Sequence, residues 1–246
     1  MAKRKGDRKE QNKNTTQSRL PVASEGWQTA IESTTTRFEK EYRQEDFNLP
    51  AEVEDIDIFE EWKAGSLQNR ISSQFWDLKT PKKKQSWLDI GCGLSFLIYP
   101  WYEWNAFFSG QEVSTFARDT LMSRGPQLNS KLFRGVKLGA GHLLDYEDNQ
   151  FDGAIATGWS CYYSLDYWER VLDEVKRVLK PGGSFIFDAI DPDSSLAEDW
   201  AILETYLEAE VLLTSLNEWR ALVKKAEGKV VKTEKGELFQ SFLVSF

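Results

Sequence analysis

Apolar positions along this chain keep two rhythms. Short, nearly unbroken runs occur at Trp87-Leu88-Asp89-Ile90, at Ala106-Phe107-Phe108 leading to Glu112-Val113, from Phe151 to Thr157, and at Ser184-Phe185-Ile186-Phe187-Asp188. Each is bounded by glycine or polar turn residues, which is how strands buried in a sheet read. Between the last two runs, Trp168, Val171, Leu172, Val175, Val178 and Leu179 recur at helical spacing. That helix is expected to stop at Lys180-Pro181-Gly182-Gly183, where proline and two glycines turn the chain back into the sheet. Residues 115–124 read as another helix between strands. Alternating strand and helix predicts an α/β fold around one mostly parallel sheet.

The flanks are simpler. Phe38, Tyr42 and Phe47, then Ile56, Ile58, Phe59 and Trp62, then Leu67, Ile71, Phe75 and Trp76 predict helices across an acidic, aromatic region, residues 25–80. Beyond the last run, Leu196, Trp200, Leu203, Leu207 and Val211 mark an amphipathic helix and residues 219–226 a second. Residues 229–232 and 238–246 are strand candidates on either side of Lys235-Gly236.

Composition narrows the class. A chain of 246 residues with 41% apolar and 28% charged content can bury one sizeable core, so one catalytic domain, residues 81–246, is the simplest count. No stretch approaches the roughly 18 uncharged apolar residues of a membrane span, and the start lacks the apolar core of a signal peptide. A cytoplasmic location is the default expectation. Cys92 and Cys161 lie far apart without metal-ligand spacing, so neither a disulfide nor a metal site is expected. Residues 1–20 hold seven Lys/Arg against two Asp/Glu, a net +5 that leaves −13 on the rest. Residues 1–24 therefore read as a basic, disordered tail, and the acidic body disfavours nucleic acid as a substrate.

The candidate chemistry begins where the first strand ends. A strand ending in an acid and then Gly91-Cys92-Gly93 brings bare backbone against a ligand, since a missing Cβ permits both the dihedrals and the close approach. About 20 residues on, Glu112 closes the second strand, the place where a carboxylate meets a ribose diol.

Four pieces occur in order: Leu88-Asp89-Ile90-Gly91-Cys92-Gly93, Gly110-Gln111-Glu112-Val113-Ser114, Asp148-Asn149-Gln150-Phe151-Asp152, and Glu174-Val175-Lys176-Arg177-Val178-Leu179-Lys180-Pro181-Gly182-Gly183. With them the chain resembles the class I S-adenosylmethionine-dependent methyltransferases across residues 85–190. The resemblance implies a three-layer, Rossmann-like fold with a seven-stranded, mostly parallel sheet, a reversed last strand, and N-terminal helices over the cleft. It implies S-adenosylmethionine as cofactor, with Gly91, Cys92 and Gly93 beside its methionine part, Asp89 orienting the turn, Glu112 on both ribose hydroxyls and Val113 adjoining. Backbone near Thr157 would receive the amino group. On this basis Glu112→Ala should weaken cofactor binding and leave the fold intact.

Three departures qualify the match. Ser95 stands at the third glycine. Ala140 stands where an acid commonly meets the adenine amine, leaving the backbone of Gly141 and His142 to recognise adenine. Pro100 interrupts the helix expected after the glycine turn, which must be short, kinked or late. His142, the lone histidine, is placed by its neighbours at the cofactor pocket or the surface more readily than as a general base.

Aromatic residues point to the acceptor. Trp159, Tyr162, Tyr163, Tyr167 and Trp168 follow the fourth strand, where the resembled family lines its acceptor pocket, and Trp101, Tyr102 and Trp104 follow the glycine turn. Trp168 falls on the helix stripe and reads as core. Tyr162 and Tyr163 are the candidates for positioning the acceptor or removing its proton. The function expected is methyl transfer to an O, N or C atom of a small aromatic or lipophilic acceptor by in-line displacement. A protein acceptor, or a methyltransferase-like binding or regulatory protein without turnover, remain alternatives. A nicotinamide oxidoreductase is disfavoured because the third glycine of its fingerprint would be Phe96.

Overall fold

The computed structural model describes residues 24–129 and 131–246. Apart from Ser24, the basic tail lies outside the described residues, as do the side chains of Trp101 and Tyr102.

Among the described residues seven strands form one sheet: β1 (Ser86–Ile90), β2 (Phe107–Glu112), β3 (Phe133–Leu138), β4 (Phe151–Ala156), β5 (Leu179–Ile190), β6 (Lys229–Lys235) and β7 (Phe239–Ser245), in the order β3-β2-β1-β4-β5-β7-β6. The first five are parallel, and β7 runs antiparallel to both β5 and β6. This is the Rossmann-like sheet with a reversed last strand that the sequence led us to expect. The strand order reverses between β1 and β4, the place where a sheet of this kind binds its ligand at the carboxyl ends of the strands.

Nine α-helices are described: α1 (Glu25–Arg43), α2 (Phe59–Lys63), α3 (Leu67–Ile71), α4 (Phe75–Leu78), α5 (Trp101–Trp104), α6 (Thr115–Asn129), α7 (Leu165–Val178), α8 (Ala197–Tyr206) and α9 (Leu216–Lys225). Among the described residues no helix is long and apolar enough to cross a membrane. The period-two pattern of the strands serves both faces. Leu88, Ala154, Phe185 and Phe187 join one core cluster with Trp168, Val171 and Trp219, while Trp87, Ile155 and Ile186 join the other with Phe75, Trp104 and Leu121. Burying each such large side chain stabilises the fold by about 1.5 to 3 kcal/mol.

Several boundaries differ from expectation: α9 begins at Leu216, ahead of Trp219, β6 runs on to Lys235, and Phe47, Ile56 and Ile58 lie outside the α-helices. The helix at 168–179 ends at Val178, and β5 begins at Leu179, opposite Phe151. The register then shifts so that Gly153 meets Ser184, which puts Lys180-Pro181-Gly182-Gly183 in a bulge within the strand rather than ahead of it. α8 stops at Tyr206 because Glu208 takes a left-handed conformation, so Val211 lies in a loop instead of on the helix stripe. α6 runs beyond Arg124 to Asn129. Pro100 acts as expected: a 3-10 turn at Leu94–Leu97 precedes it and the single turn of α5 follows.

Candidate active site

The turn after β1 carries the strained backbone for which glycine is needed, with φ of +65° at Gly91 and +49° at Gly93. Asp89 lies inside the strand, buried, and its Oδ2 has no hydrogen-bond partner. Burial pushes its carboxyl up to about 8, against the lowering effect of a hydrogen bond with the Tyr99 hydroxyl and with the nearby Glu112 charge adding to the rise. Ser95, in place of the third glycine, donates its hydroxyl to the carbonyl of Cys92 at 3.0 Å and so closes the turn from within. Burial raises the Cys92 and Cys161 thiols well above their usual range, which makes both poor nucleophiles.

Glu112 ends β2 beside this turn. Its Oε2 accepts the backbone N–H of Gly93 at 2.8 Å, and its Oε1 accepts that of Ser114 at 2.9 Å, so one carboxylate ties the ends of β1 and β2 together. Burial raises its pKa, and those backbone hydrogen bonds oppose the rise. Val113 follows, half-buried. Thr157 lies just past the end of β4, and the next N–H, that of Gly158, is donated to Asp188 at 2.8 Å. Asp188 is wholly buried at the end of β5, and burial pushes its carboxyl up to about 6.

The 140–145 segment is organised by Gln111, a buried amide that no sequence signal singles out. Its Nε2 donates to the carbonyls of Ala140 and Leu143, and its Oε1 accepts the N–H of Asp145. The N–H groups of Gly141 and His142 point to the Tyr167 hydroxyl. The His142 ring sits between Trp27 and Tyr167, at centroid distances of 5.6 and 5.2 Å, and burial lowers its pKa. It is therefore buried among aromatic rings and neutral near pH 7.

Tyr162 and Tyr163 are both buried. Tyr162 lies beside Glu204 and meets the Phe38 ring edge-on at 5.7 Å, while Tyr163 stacks on Tyr167 at 4.4 Å and hydrogen-bonds Thr34. Burial holds both phenols above their usual range, so at neutral pH they can donate a hydrogen bond but do not act as phenolate bases. Trp168 is core, as its spacing predicted, and stacks on Trp159 at 4.5 Å. Trp104, grouped with the acceptor aromatics on sequence grounds, is also core: it packs on Phe75 and Phe108 at 5.5 and 5.6 Å.

Two rings cover the glycine turn. The Trp159 indole donates to the carbonyl of Ile90 at 2.7 Å and lies on Gly91, where a Cβ would fall 2.7 Å from its Nε1. Tyr42, from α1, brings its hydroxyl to Gly93, 2.8 Å from where a Cβ would stand, and takes a backbone hydrogen bond from Leu94. The sequence offered Tyr42 only as one apolar position of a helix. Nothing local links it to a turn so far along the chain. Among the described residues no group of three or more His, Cys, Asp or Glu could hold a metal ion.

Residues 88–187 match the family described as a methyltransferase domain. The chain is similar to a sterol 4-C-methyltransferase of Caenorhabditis elegans, 32% identical over 159 residues, which are 60% of this chain and 45% of that protein. It thus spans less than half the length of that curated relative. Among solved structures, a Thermotoga maritima protein described as an S-adenosylmethionine-dependent methyltransferase, possibly a histamine N-methyltransferase, superposes with a TM-score of 0.59 at 22% identity, over 88% of this chain and 99% of that one. Geranyl diphosphate C-methyltransferase of Streptomyces coelicolor A3(2), bound to geranyl diphosphate and S-adenosylhomocysteine, gives a TM-score of 0.55 at 12% identity, over 76% of this chain and 79% of that one. These two share the fold.

Proposed function

We propose that the chain, whose residues 88–187 match a methyltransferase domain, is a class I S-adenosylmethionine-dependent methyltransferase that transfers a methyl group from S-adenosylmethionine to a C, O or N atom of a small lipophilic or aromatic acceptor. The observation that carries this reading is the joint between Glu112 and Gly93, which sets a carboxylate and a Cβ-free turn at the switch point of the sheet.

The donor set fits the cofactor. The Glu112 oxygens accept the N–H groups of Gly93 and Ser114, with the Val113 N–H also directed at the carboxylate, and a carboxylate has about four lone-pair sites, so acceptor capacity is left for a ribose hydroxyl. Gly91 and Gly93 offer bare backbone for the methionine part, with Asp89 behind them holding the turn through Tyr99. The space over the two glycines is taken by Trp159 and Tyr42, so the fit requires those two side chains to move.

When bound, S-adenosylmethionine supplies a methyl group on a cationic sulfur that is already a good leaving group. The chain's part is to hold, align and keep dry. Glu112 and the glycine turn hold the cofactor side. On the other side, Phe38, Tyr162 and Tyr163 form an aromatic wall that excludes water and suits a greasy acceptor; rings there can also steady positive charge by about 0.5 to 2 kcal/mol. Tyr162 and Tyr163 remain protonated and orient the acceptor through hydrogen bonds. The acceptor class rests on that wall, on the acidic body, and on the sterol named in the curated relative. Residues 25–80 would then be the cap of the acceptor pocket and residues 81–246 the catalytic core.

Calorimetric titration with S-adenosylmethionine, S-adenosylhomocysteine and NADH tests the reading. Micromolar affinity for the first two and none for NADH supports it. Absence of binding by either adenosyl compound would favour a methyltransferase-like protein without turnover, a reading to which the two rings over the glycines lend specific support.

A further inference from the structure

α1 crosses the carboxyl edge of the sheet and is fastened along its length. At its start, the Trp27 indole donates to Asp166 at 2.7 Å and packs on Tyr167. In the middle, Ser33 donates to the carbonyl of Glu208 at 2.6 Å. Nearby, Arg37 sends Nε and Nη2 to the two oxygens of Glu204 at 2.8 and 2.7 Å. Both of these side chains are almost fully buried, at 2% and 0% exposure, and Arg37 also pairs with Glu41. Toward its end, Glu39 accepts the Ser114 hydroxyl at 2.8 Å and the N–H of Phe116, in the first turn of α6. The last contact is Tyr42 on Gly93.

The cradle formed by Gly91 and Gly93 is therefore covered twice by the chain itself, from above by a residue of α1 and from the side by Trp159. A bidentate buried ion pair behaves as a latch, because lifting the helix must break both hydrogen bonds together and leave the Glu204 carboxylate without its cation, while Arg37 keeps only Glu41 of its own helix.

We propose that Tyr42 and Trp159 stand in the place of the cofactor, that α1 must lift before the cofactor can enter, and that the Arg37–Glu204 pair is the latch that sets how often it lifts. The proposal rests on the methyltransferase reading above. It deepens that reading by making entry to the cofactor site, rather than the site's own contacts, the controlling step.

The pair lies on the α8 side of α1, so it can be altered without touching the glycine turn or Glu112. The test is stopped-flow mixing with S-adenosylhomocysteine, followed by intrinsic tryptophan fluorescence, to which Trp159 and, on α1, Trp27 contribute among the chain's ten tryptophans. In the wild-type protein the observed rate should level off as ligand is raised, because lifting of α1 becomes limiting. Arg37→Met, which leaves Glu204 without its partner, should raise that plateau at least tenfold. The double variant Arg37→Met/Glu204→Met replaces the pair by apolar contact and should return the plateau to the wild-type level or below. Tyr42→Ala, which removes the ring over Gly93, should bind S-adenosylhomocysteine about tenfold more tightly at equilibrium. Binding by Tyr42→Ala with none by wild type would be the strongest form of the same result. A wild-type rate that rises linearly to the highest ligand concentration, or a plateau unmoved in Arg37→Met, overturns the gate while leaving the cofactor reading intact. Failure of all four proteins to bind overturns both.

Discussion

The two walls of the candidate site are built from different materials. At the ends of β1 and β2 the wall is backbone: Gly91, Gly93 and the N–H groups of Gly93 and Ser114, held in place by one carboxylate. Opposite, where α1, α8 and the segment after β4 meet, it is side chains: the rings of Phe38, Tyr162, Tyr163 and Trp159, a buried ion pair, and Asp188 below them. The first wall is fixed by sheet register, because Asp89 pairs with Gly110 and Ile90 with Gln111, which sets where Glu112 must fall. The second has no such ruler. Its parts can change with the acceptor and can move, and its cost is that charge and phenol groups are buried there. Under the proposed function, that division gives rigid recognition of a common cofactor on one side and adjustable enclosure of the acceptor on the other.

The largest effect should come from breaking the side-chain wall. Glu204→Ala strands Arg37 in a buried site with only Glu41 beside it. Removing one partner of a buried pair typically costs about 3 to 5 kcal/mol. We expect hydrogen exchange in α1 to show a loss of protection of that size, with the amides of β1 and β2 unchanged. A loss below about 1 kcal/mol, or one shared equally by β1, would mean that the two walls are not separate units.

Next is the floor of that wall. The Asp188 carboxyl is raised from 3.8 to about 6, so the folded state holds a proton that the unfolded state has released. Its contribution to stability is fully present below pH 3.8 and is lost as pH rises through 6. Asp188→Asn keeps an acceptor for the Gly158 N–H and abolishes the titration. At pH 8 it should be more stable than wild type by about 3 kcal/mol, and at pH 4 nearly equal. Denaturant unfolding at the two pH values measures the difference, and a gain that is the same at both would remove Asp188 as its source.

The contrast between the walls also explains what the sequence could reveal. Strand ends, the glycine turn, Glu112 and the core position of Trp168 follow from short apolar runs, residue spacing and punctuation, all local signals. Arg37 and Glu204 lie 167 positions apart, and neither carries a mark of its partner. Tyr42 reads like any ring on an amphipathic helix until α1 is laid across the sheet. The bulge at Lys180-Pro181-Gly182-Gly183 looked like a helix stop because proline and glycine break either element, and only the pairing of Leu179 with Phe151 shows that the strand had already begun. Gln111 was hidden for another reason: a buried amide in a strand has no periodic signature, and its three partners lie on a loop.

On the backbone wall, Glu112 should have a medium effect. Alanine there, expected from sequence to spare the fold, would leave the N–H groups of Gly93 and Ser114 without an acceptor and loosen the turn. Glu112→Gln is the sharper probe, because it keeps one acceptor and replaces the other with a donor. S-adenosylhomocysteine affinity should fall by about 1 to 3 kcal/mol with a smaller change in unfolding free energy. Unchanged affinity in a titration would remove Glu112 from the site.

The smallest effect should be at Ser95, which tests whether the departure from the glycine pattern damages the backbone wall. Gly91 and Gly93 have positive φ, whereas Ser95 lies in the 3-10 turn Leu94–Leu97, where an L-residue is at ease. Its hydroxyl hydrogen-bonds within the turn and adds no atom over Gly93, the position Tyr42 covers. Ser95→Gly restores the family residue but removes that hydrogen bond and loosens the unfolded chain, for a loss of about 1 kcal/mol in stability. Cofactor affinity should move less than threefold. A gain of tenfold or more would mean that Ser95 has compromised the site and would favour the protein without turnover. An unchanged affinity puts the limit on cofactor entry with the rings and the buried pair of the opposite wall, since the backbone wall is then already as open as glycine can make it.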